Sequence, residues 1–336
     1  MGILNKIKGK LAISMVIGAI VFLGVILYAN FWEIINAFSN FHWIYIPVLL
    51  LLTMLNYFVR FLKWHYFVRR LKINIRWKQS FVIFFGGLIM TVSPGKLGEV
   101  FKSFLLKQLN NTSIAVSAPI VLAERLTDVT ALIVLALFGA LSFKYGLSFI
   151  YISIIVIIIG ILIISSRKVT IPLIELMRKV HFIKKFVHKI HEVYESIYAL
   201  IGFRSLTLTT LLGIISWFFE CIGFYLVIKG FSENITLMNA TFIYAFSTLA
   251  GAFTMMPGGI GLTEVSLTGL LVNAPRFMAG QQAITKATAS ASTIIIRLAT
   301  LWFAVFLGAF VLMMNKKMFD IPEDFDLNQL QTSDKK

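Results

Sequence analysis

Long apolar runs alternate with short polar and basic intervals along most of the 336 residues. A helix needs about 20 apolar residues to cross a bilayer core. The runs 12–29, 41–60, 118–141, 148–165, 207–228 and 288–313 come near that length. The stretches 80–92, 97–108, 240–256 and 259–272 are too short to cross. They read as two helical hairpins, each entering and leaving the membrane by one side. Between the arms of each hairpin stands the same phrase: Pro94-Gly95-Lys96-Leu97-Gly98 in the first and Pro257-Gly258-Gly259-Ile260-Gly261 in the second. Proline removes a backbone donor and clashes with the preceding turn, and glycine tolerates positive φ, so each phrase should break a helix. In hydrocarbon a broken backbone persists only when buried in protein or lining a wet cavity. Paired breaks at matching places in two halves point to a transporter's binding site.

Composition agrees with this pattern. Hydrophobic residues make up 58% of the chain and charged residues 14%, and the mean hydropathy is +0.86. The expected class is an all-α polytopic membrane protein with about six transmembrane helices plus two re-entrant helical hairpins. Apolar runs continue towards the C-terminal end, so the first is not expected to be a cleaved signal. The single cysteine, Cys221, excludes an internal disulfide and a cysteine metal cluster. The net charge of +16 gathers in segments 1–11, 60–79, 166–206 and the stretch after 313, while the alternate segments hold only Lys144, Lys229, Arg276 and Lys286. The positive-inside rule then puts both termini in the cytoplasm of a cell-membrane protein.

The two halves also align. Leu51, Asn56 and Arg60 match Leu211, Ser216 and Glu220 at an offset of 160. The Pro-Gly phrases match at 163, and Arg125-Leu126 matches Arg297-Leu298 at 172. Each copy is a span, a hairpin and a span, about 41–141 and 207–313, running in opposite senses as an inverted repeat within one domain, 1–318. Between them, 172–200 shows one apolar face with basic flanks, which suits a helix on an anionic membrane surface or packed on the bundle. Residues 319–336 are polar and read as a disordered tail.

Ionisable side chains inside spans carry a cost of about 2.5–3.5 kcal/mol each at a helix centre. The third span holds Glu124, Arg125 and Asp128 together and must face an interior or a wet cavity. Arg125 and Asp128, three apart, can pair. Arg297 has no acid nearby in sequence, so an external anion is its expected partner. Each broken phrase precedes a short helix whose N-terminus offers free N–H donors to phosphate, with Lys96 strengthening the first. Two anion stations are expected, one towards each leaflet: Arg125 with Pro94, Gly95, Lys96 and Gly98, and Arg297 with Pro257, Gly258, Gly259 and Gly261. Glu99 and Glu264, in the first turns, could cap those helices, pair with the arginines or carry protons. Glu220 is an isolated intramembrane acid. Arg60 is expected to snorkel to the inner interface, away from Glu220. Trp43, Tyr45, Trp64, Tyr66 and Trp77 read as interface anchors. His181, His188 and His191 read as a solvated face rather than a metal site. No cofactor motif, nucleophile–base pair or nucleotide-binding loop stands out, so neither an enzyme nor a cofactor is expected.

The run from Ser93-Pro94-Gly95-Lys96-Leu97-Gly98-Glu99 through Glu124-Arg125-Leu126-Thr127-Asp128 to Pro257-Gly258-Gly259-Ile260-Gly261 resembles the transmembrane-region family of lysylphosphatidylglycerol synthases. The resemblance covers roughly 10–315. It implies a lipid flippase for an anionic or aminoacylated phospholipid, or for a polyprenyl-phosphate-linked headgroup. The bifunctional relatives add a soluble aminoacyl-transferase domain. The present sequence has no segment of that kind, so aminoacyl transfer is not expected. The partners implied are anionic membrane lipids, a separate lipid-modifying enzyme or glycosyltransferase, and a second copy of the chain, but not nucleic acid. Two other readings stand beside this one: a secondary transporter of a small anion, and a non-transporting membrane partner of a lipid- or glycan-modifying enzyme.

Overall fold

The computed structural model describes residues 2–93, 100–140, 202–254, 256–278, 280–315 and 318–319, with isolated positions between 155 and 200. The expected span at 148–165, nearly all of the amphipathic 172–200 segment, and the tail from 320 on lie outside the described residues. So do Pro94, Gly95, Lys96, Gly98 and Glu99.

Helix α1 (Gly2–Ala29) ends at Asn30, which adopts φ 69° and accepts a hydrogen bond from the Trp32 amide at 3.2 Å. Asparagine is among the few non-glycine residues at ease there. The chain turns by 90° into α2 (Phe31–Ser39), a helix in the interval that the apolar runs left between two spans. Helix α3 runs from Tyr45 to Arg70, ten residues beyond the expected end at 60. Arg60 and Lys63, read from sequence as membrane-edge charges, are therefore inside the helix.

At the end of α3 the Ile73 amide bonds back to the Val68 carbonyl at 3.2 Å and the Lys72 amide to Arg69 at 2.9 Å, with Lys72 at φ 57°. This is the paired capping pattern that closes a helix through one left-handed residue. The same corner recurs 160 residues later, at the end of α7 (Phe203–Gly230). There the Glu233 amide bonds to Ile228 at 3.3 Å and the Ser232 amide to Lys229 at 2.9 Å, with Ser232 at φ 61°. Next comes α4 (Trp77–Gly87), extended by the 3₁₀ turn Leu88–Met90, and in the second half α8 (Leu237–Phe253). The second arm is three residues longer, which is why the sequence offset shifts from 160 to 163. Thr91 and Thr254 close the arms alike, each hydroxyl donating to a carbonyl three residues back at 2.7 and 2.8 Å.

The remaining elements are α5 (Phe101–Asn110), α6 (Ile114–Ala140), α9 (Leu262–Val272) and the short α10 (Ala274–Phe277). The chain closes with α11 (Lys286–Arg297), a π-helical turn (Leu298–Trp302) and α12 (Phe303–Met314). Among the described residues, Tyr45–Arg70, Phe203–Gly230 and Lys286–Met314 are long and apolar enough to span a bilayer, and the bent α1–α2 pair is a fourth such segment. Helix α6 has the length, 27 residues. Its three central charges interrupt the apolar stretch and are paired inside the protein instead. The protein is an all-α polytopic membrane protein.

Two cores hold the bundle together. One joins Phe61, Trp64, Phe85 and Phe104 of the first half with Ala304 and Leu312 of α12. The other joins Phe224, Ile243, Leu267 and Ile296 of the second half with Ala131–Ala140 of α6. Each half's core is thus completed by the last helix of the other half. The contacts are close: a Cβ on Gly308 would sit 2.2 Å from the Ile89 amide nitrogen, and one on Gly139 would sit 2.7 Å from the Met238 carbonyl oxygen. The α3–α7 crossing is joined by Asn56 Nδ2, which donates to the Ser216 carbonyl at 2.7 Å across the repeat offset of 160.

Candidate functional site

Beside that crossing lies an open-mouthed cavity of about 120 Å³. Arg60 of α3, Arg125 of α6 and Arg297 of α11 all line it, with Glu220 of α7 and Tyr244 of α8. Gly258 and Gly259 of the second Pro-Gly phrase form part of its wall. Arg125 and Arg297, expected at separate stations, line the same cavity, while the Pro-Gly phrase at 94–98 expected beside Arg125 lies outside the described residues. Helices packed at the centre of an exchanged bundle bring their charged faces to the same place, whichever half they belong to.

The broken phrase is shaped by its own backbone. Pro257 opens a 3₁₀ turn, and Gly258, Gly259 and Gly261 adopt φ 56°, 69° and 100°. The amides of Gly259 and Ile260 bond to the Met256 and Pro257 carbonyls at 3.0 Å, and Gly261 donates to Glu264 Oε2 at 2.6 Å. Those three N–H groups, of the donors expected for an anion, are already used. Arg297 likewise has protein partners, contrary to the expectation that an external anion would be its counterion: its Nε donates to Glu264 Oε1 at 2.5 Å and its Nη2 to the Gly258 carbonyl at 2.8 Å. Glu264 thus both caps α9 and pairs with Arg297, through different oxygens. A guanidinium has five N–H donors, and two of Arg297's are used by these partners. Pro257, Gly261 and Glu264 support the wall without lining it.

A second group of charges lies behind Arg125. Asp128 is buried, ion-paired with the fully buried Lys63, and 3.8 Å from Arg60 Nη2. Its expected partner Arg125 is also within ion-pair reach, with Nη1 at 3.9 Å from Oδ2. Glu124 accepts from Lys102 Nζ at 2.5 Å, and that ammonium lies 4.4 Å from the centre of the Trp64 ring. Trp64 is fully buried, not an interface anchor, and its ring face is a cation site. Trp43 and Trp77 keep exposed faces, at 58% and 48%. Arg60 does not snorkel to the interface. Its guanidinium lies 5.4 Å from the Trp217 ring centre, on the same cavity as Glu220. No ion pair joins Arg60 and Glu220 among the described residues. Glu220 instead accepts from the Tyr244 hydroxyl at 2.6 Å. The Tyr57 hydroxyl donates to the carbonyl of Thr300, in the π-helical turn after Arg297.

Sequence reasoning missed Tyr57, Arg60, Trp217 and Tyr244 as cavity residues, and Lys63 and Lys102 as the counterions of the acids on α6. The available signal was the apolar pattern of α3, which continues through Phe61, Leu62, Trp64, Phe67 and Val68 and so encloses Arg60 and Lys63.

The family model described as the lysylphosphatidylglycerol synthase TM region matches residues 13–308. Similar chains are archaeal. A UPF0104 membrane protein of Methanothermobacter thermautotrophicus is 26% identical over 322 residues, covering 85% of this chain and 88% of that protein. Two UPF0104 membrane proteins of Methanocaldococcus jannaschii are 28% identical over 54% of this chain and 78% of theirs, and 22% identical over 94% and 98%. With its all-α bundle, its paired intramembrane charges and a match across nearly its whole length, the chain belongs to the lysylphosphatidylglycerol synthase transmembrane-region family.

Proposed function

We propose that this protein moves a phosphate-bearing lipid between leaflets, holding the headgroup in the arginine cavity while the acyl chains stay in hydrocarbon. The observation that carries this reading is the convergence of Arg60, Arg125 and Arg297 from three helices on one cavity. Guanidinium groups bind phosphate oxygens in pairs, with shorter and stronger bonds than neutral donors make. Among the described residues, the cluster holds Arg60, Lys63, Lys102, Arg125 and Arg297 against Glu124, Asp128, Glu220 and Glu264. Lipid access is supported by neighbours in sequence: Ala252 and Arg297 line the cavity, and Phe253 and Leu298 beside them are 79% and 50% exposed.

In this reading both termini are cytoplasmic in the cell membrane, and the broken segments are re-entrant hairpins entering from opposite sides. The repeated corner geometry and the exchange of terminal helices support that inverted arrangement. The protein acts as a carrier, not an enzyme. The sequence has no nucleotide-binding loop, so movement is downhill or ion-coupled. A separate enzyme that modifies the lipid would supply the cargo.

The test is leaflet translocation of labelled phosphodiester lipids in liposomes, comparing wild type with Arg60→Gln and Arg297→Gln. Wild-type movement that falls at least about tenfold in each folded variant, as expected when a charge-assisted phosphate bond is lost, supports the reading. Wild-type liposomes that leave every lipid in place sink it. Uptake of a soluble anion by the same liposomes would then favour the small-anion transporter.

A further inference from the structure

A phosphate offers only acceptors, so the arginines alone would suffice to hold one. The cavity also presents acceptors of its own. Glu220 is 5% exposed, and its Oε2 is fixed by the Tyr244 hydroxyl at 2.6 Å. Its Oε1 takes no hydrogen bond from any described residue and is left to the cavity. Thr248 and Thr263 line the same space, and a threonine hydroxyl can donate or accept. A buried carboxylate is held in place only where donors satisfy it. The wall is therefore complementary to a ligand that brings donors as well as a phosphate.

Charge decides which donors. The charges facing Glu220 are Arg60 on α3, Arg297 on α11 and, with opposite sign, Asp128 on α6. An ammonium group would enter beside three guanidinium groups and be repelled by them. Neutral hydroxyls satisfy Glu220 without that repulsion.

We infer that the headgroup is a polyol phosphodiester, of the glycerol-, inositol- or sugar-phosphate type, whose hydroxyls are read by Glu220 as held by Tyr244. This rests on the proposal that the cavity receives a phosphate headgroup.

The experiment is binding competition on the full chain in nanodiscs, with labelled phosphatidylglycerol as probe. The competitors are phosphatidylinositol, phosphatidylethanolamine, phosphatidylmethanol and soluble glycerol 3-phosphate. Phosphatidylinositol and unlabelled phosphatidylglycerol should displace the probe about tenfold better than phosphatidylethanolamine or phosphatidylmethanol, the effect of one charge-assisted hydrogen bond. Glu220→Gln still accepts from Tyr244, so the fold is kept, but the preference should shrink to about twofold or less as that bond becomes a neutral one. Tyr244→Phe frees the carboxylate to turn and should give an intermediate ratio. A ratio unchanged in Glu220→Gln, a wild-type preference for phosphatidylethanolamine, or no displacement by any lipid overturns the inference. Glycerol 3-phosphate competing as well as the lipids would keep the polyol reading and make the ligand a solute. Leaflet movement is measured separately, so a polyol preference without translocation sinks flipping and leaves the recognition standing.

Discussion

Asp128 shows how much one side chain can hold in place when it is buried among cations. Lys63 is almost wholly buried and ion-paired with it, and Arg60 and Arg125 stand just beyond. Removing the acid strands a buried ammonium. Asp128→Ala should therefore cost about 3–5 kcal/mol of unfolding free energy, and Lys63→Met with Asp128→Leu should recover most of it. Thermal and denaturant unfolding in detergent would read both. A double variant no more stable than the single one would mean the pair is not what holds α3 to α6. Arg297 tests geometry instead of charge. Its planar fork reaches Glu264 and the Gly258 carbonyl at once, and a lysine offers a point charge in its place. Arg297→Lys should lower lipid translocation about tenfold, comparable to one lost charge-assisted bond, and should also lower the melting temperature, since the part-buried Gly258 carbonyl loses its donor. Wild-type transport by Arg297→Lys would show that only its charge matters. The sequence identified Arg125, Glu220 and Arg297 as misplaced charges. It could not show that Arg297 and Glu264 are partners, because that pairing depends on how α9 folds back on α11.

At the scale of elements, helix character and its interruptions were legible. The Pro-Gly phrase at 257–261 does break the helix, and the left-handed corners at Lys72 and Ser232 recur at the offset the side chains had suggested. Local backbone preference needs no tertiary partner, which is why it could be read. The bend at Asn30 and the ten extra residues of α3 were not, because polar side chains mark a helix end in sequence whether they face solvent or a buried partner. Helix approach belongs to this scale too. Gly308→Ala would drive a Cβ into the backbone at Ile89 and Leu88. Overpacking against backbone should cost about 1–3 kcal/mol or more. Gly24→Ala meets nothing within 4 Å and should be neutral or stabilising by up to ~1 kcal/mol through helix propensity. Comparison of melting temperatures in one detergent checks the contrast, and equal shifts would contradict the packing at α12.

For the whole molecule, the exchange of α6 and α12 between the two cores ties the halves into one body around the cavity. If the halves are inverted, the two matching corners lie on opposite sides of the membrane. Asn74→Cys and Asn234→Cys, both at exposed corner positions, should then react with an impermeant maleimide from opposite faces of sealed vesicles. Cys221 is fully buried and should stay silent. Labelling of both from the same face would rule out the inverted arrangement. The sequence by itself determined the membrane class, the helical character and the break at 257–261, since these follow from apolar run length and from proline and glycine backbone limits. Only the tertiary structure decided that Arg60, Arg125 and Arg297 meet in one cavity, that the amides of Gly259, Ile260 and Gly261 are already bonded, and that Lys63 and Lys102 neutralise the acids of α6. Those outcomes depend on which helix faces pack together, and the energies that select the packing act between residues far apart in sequence.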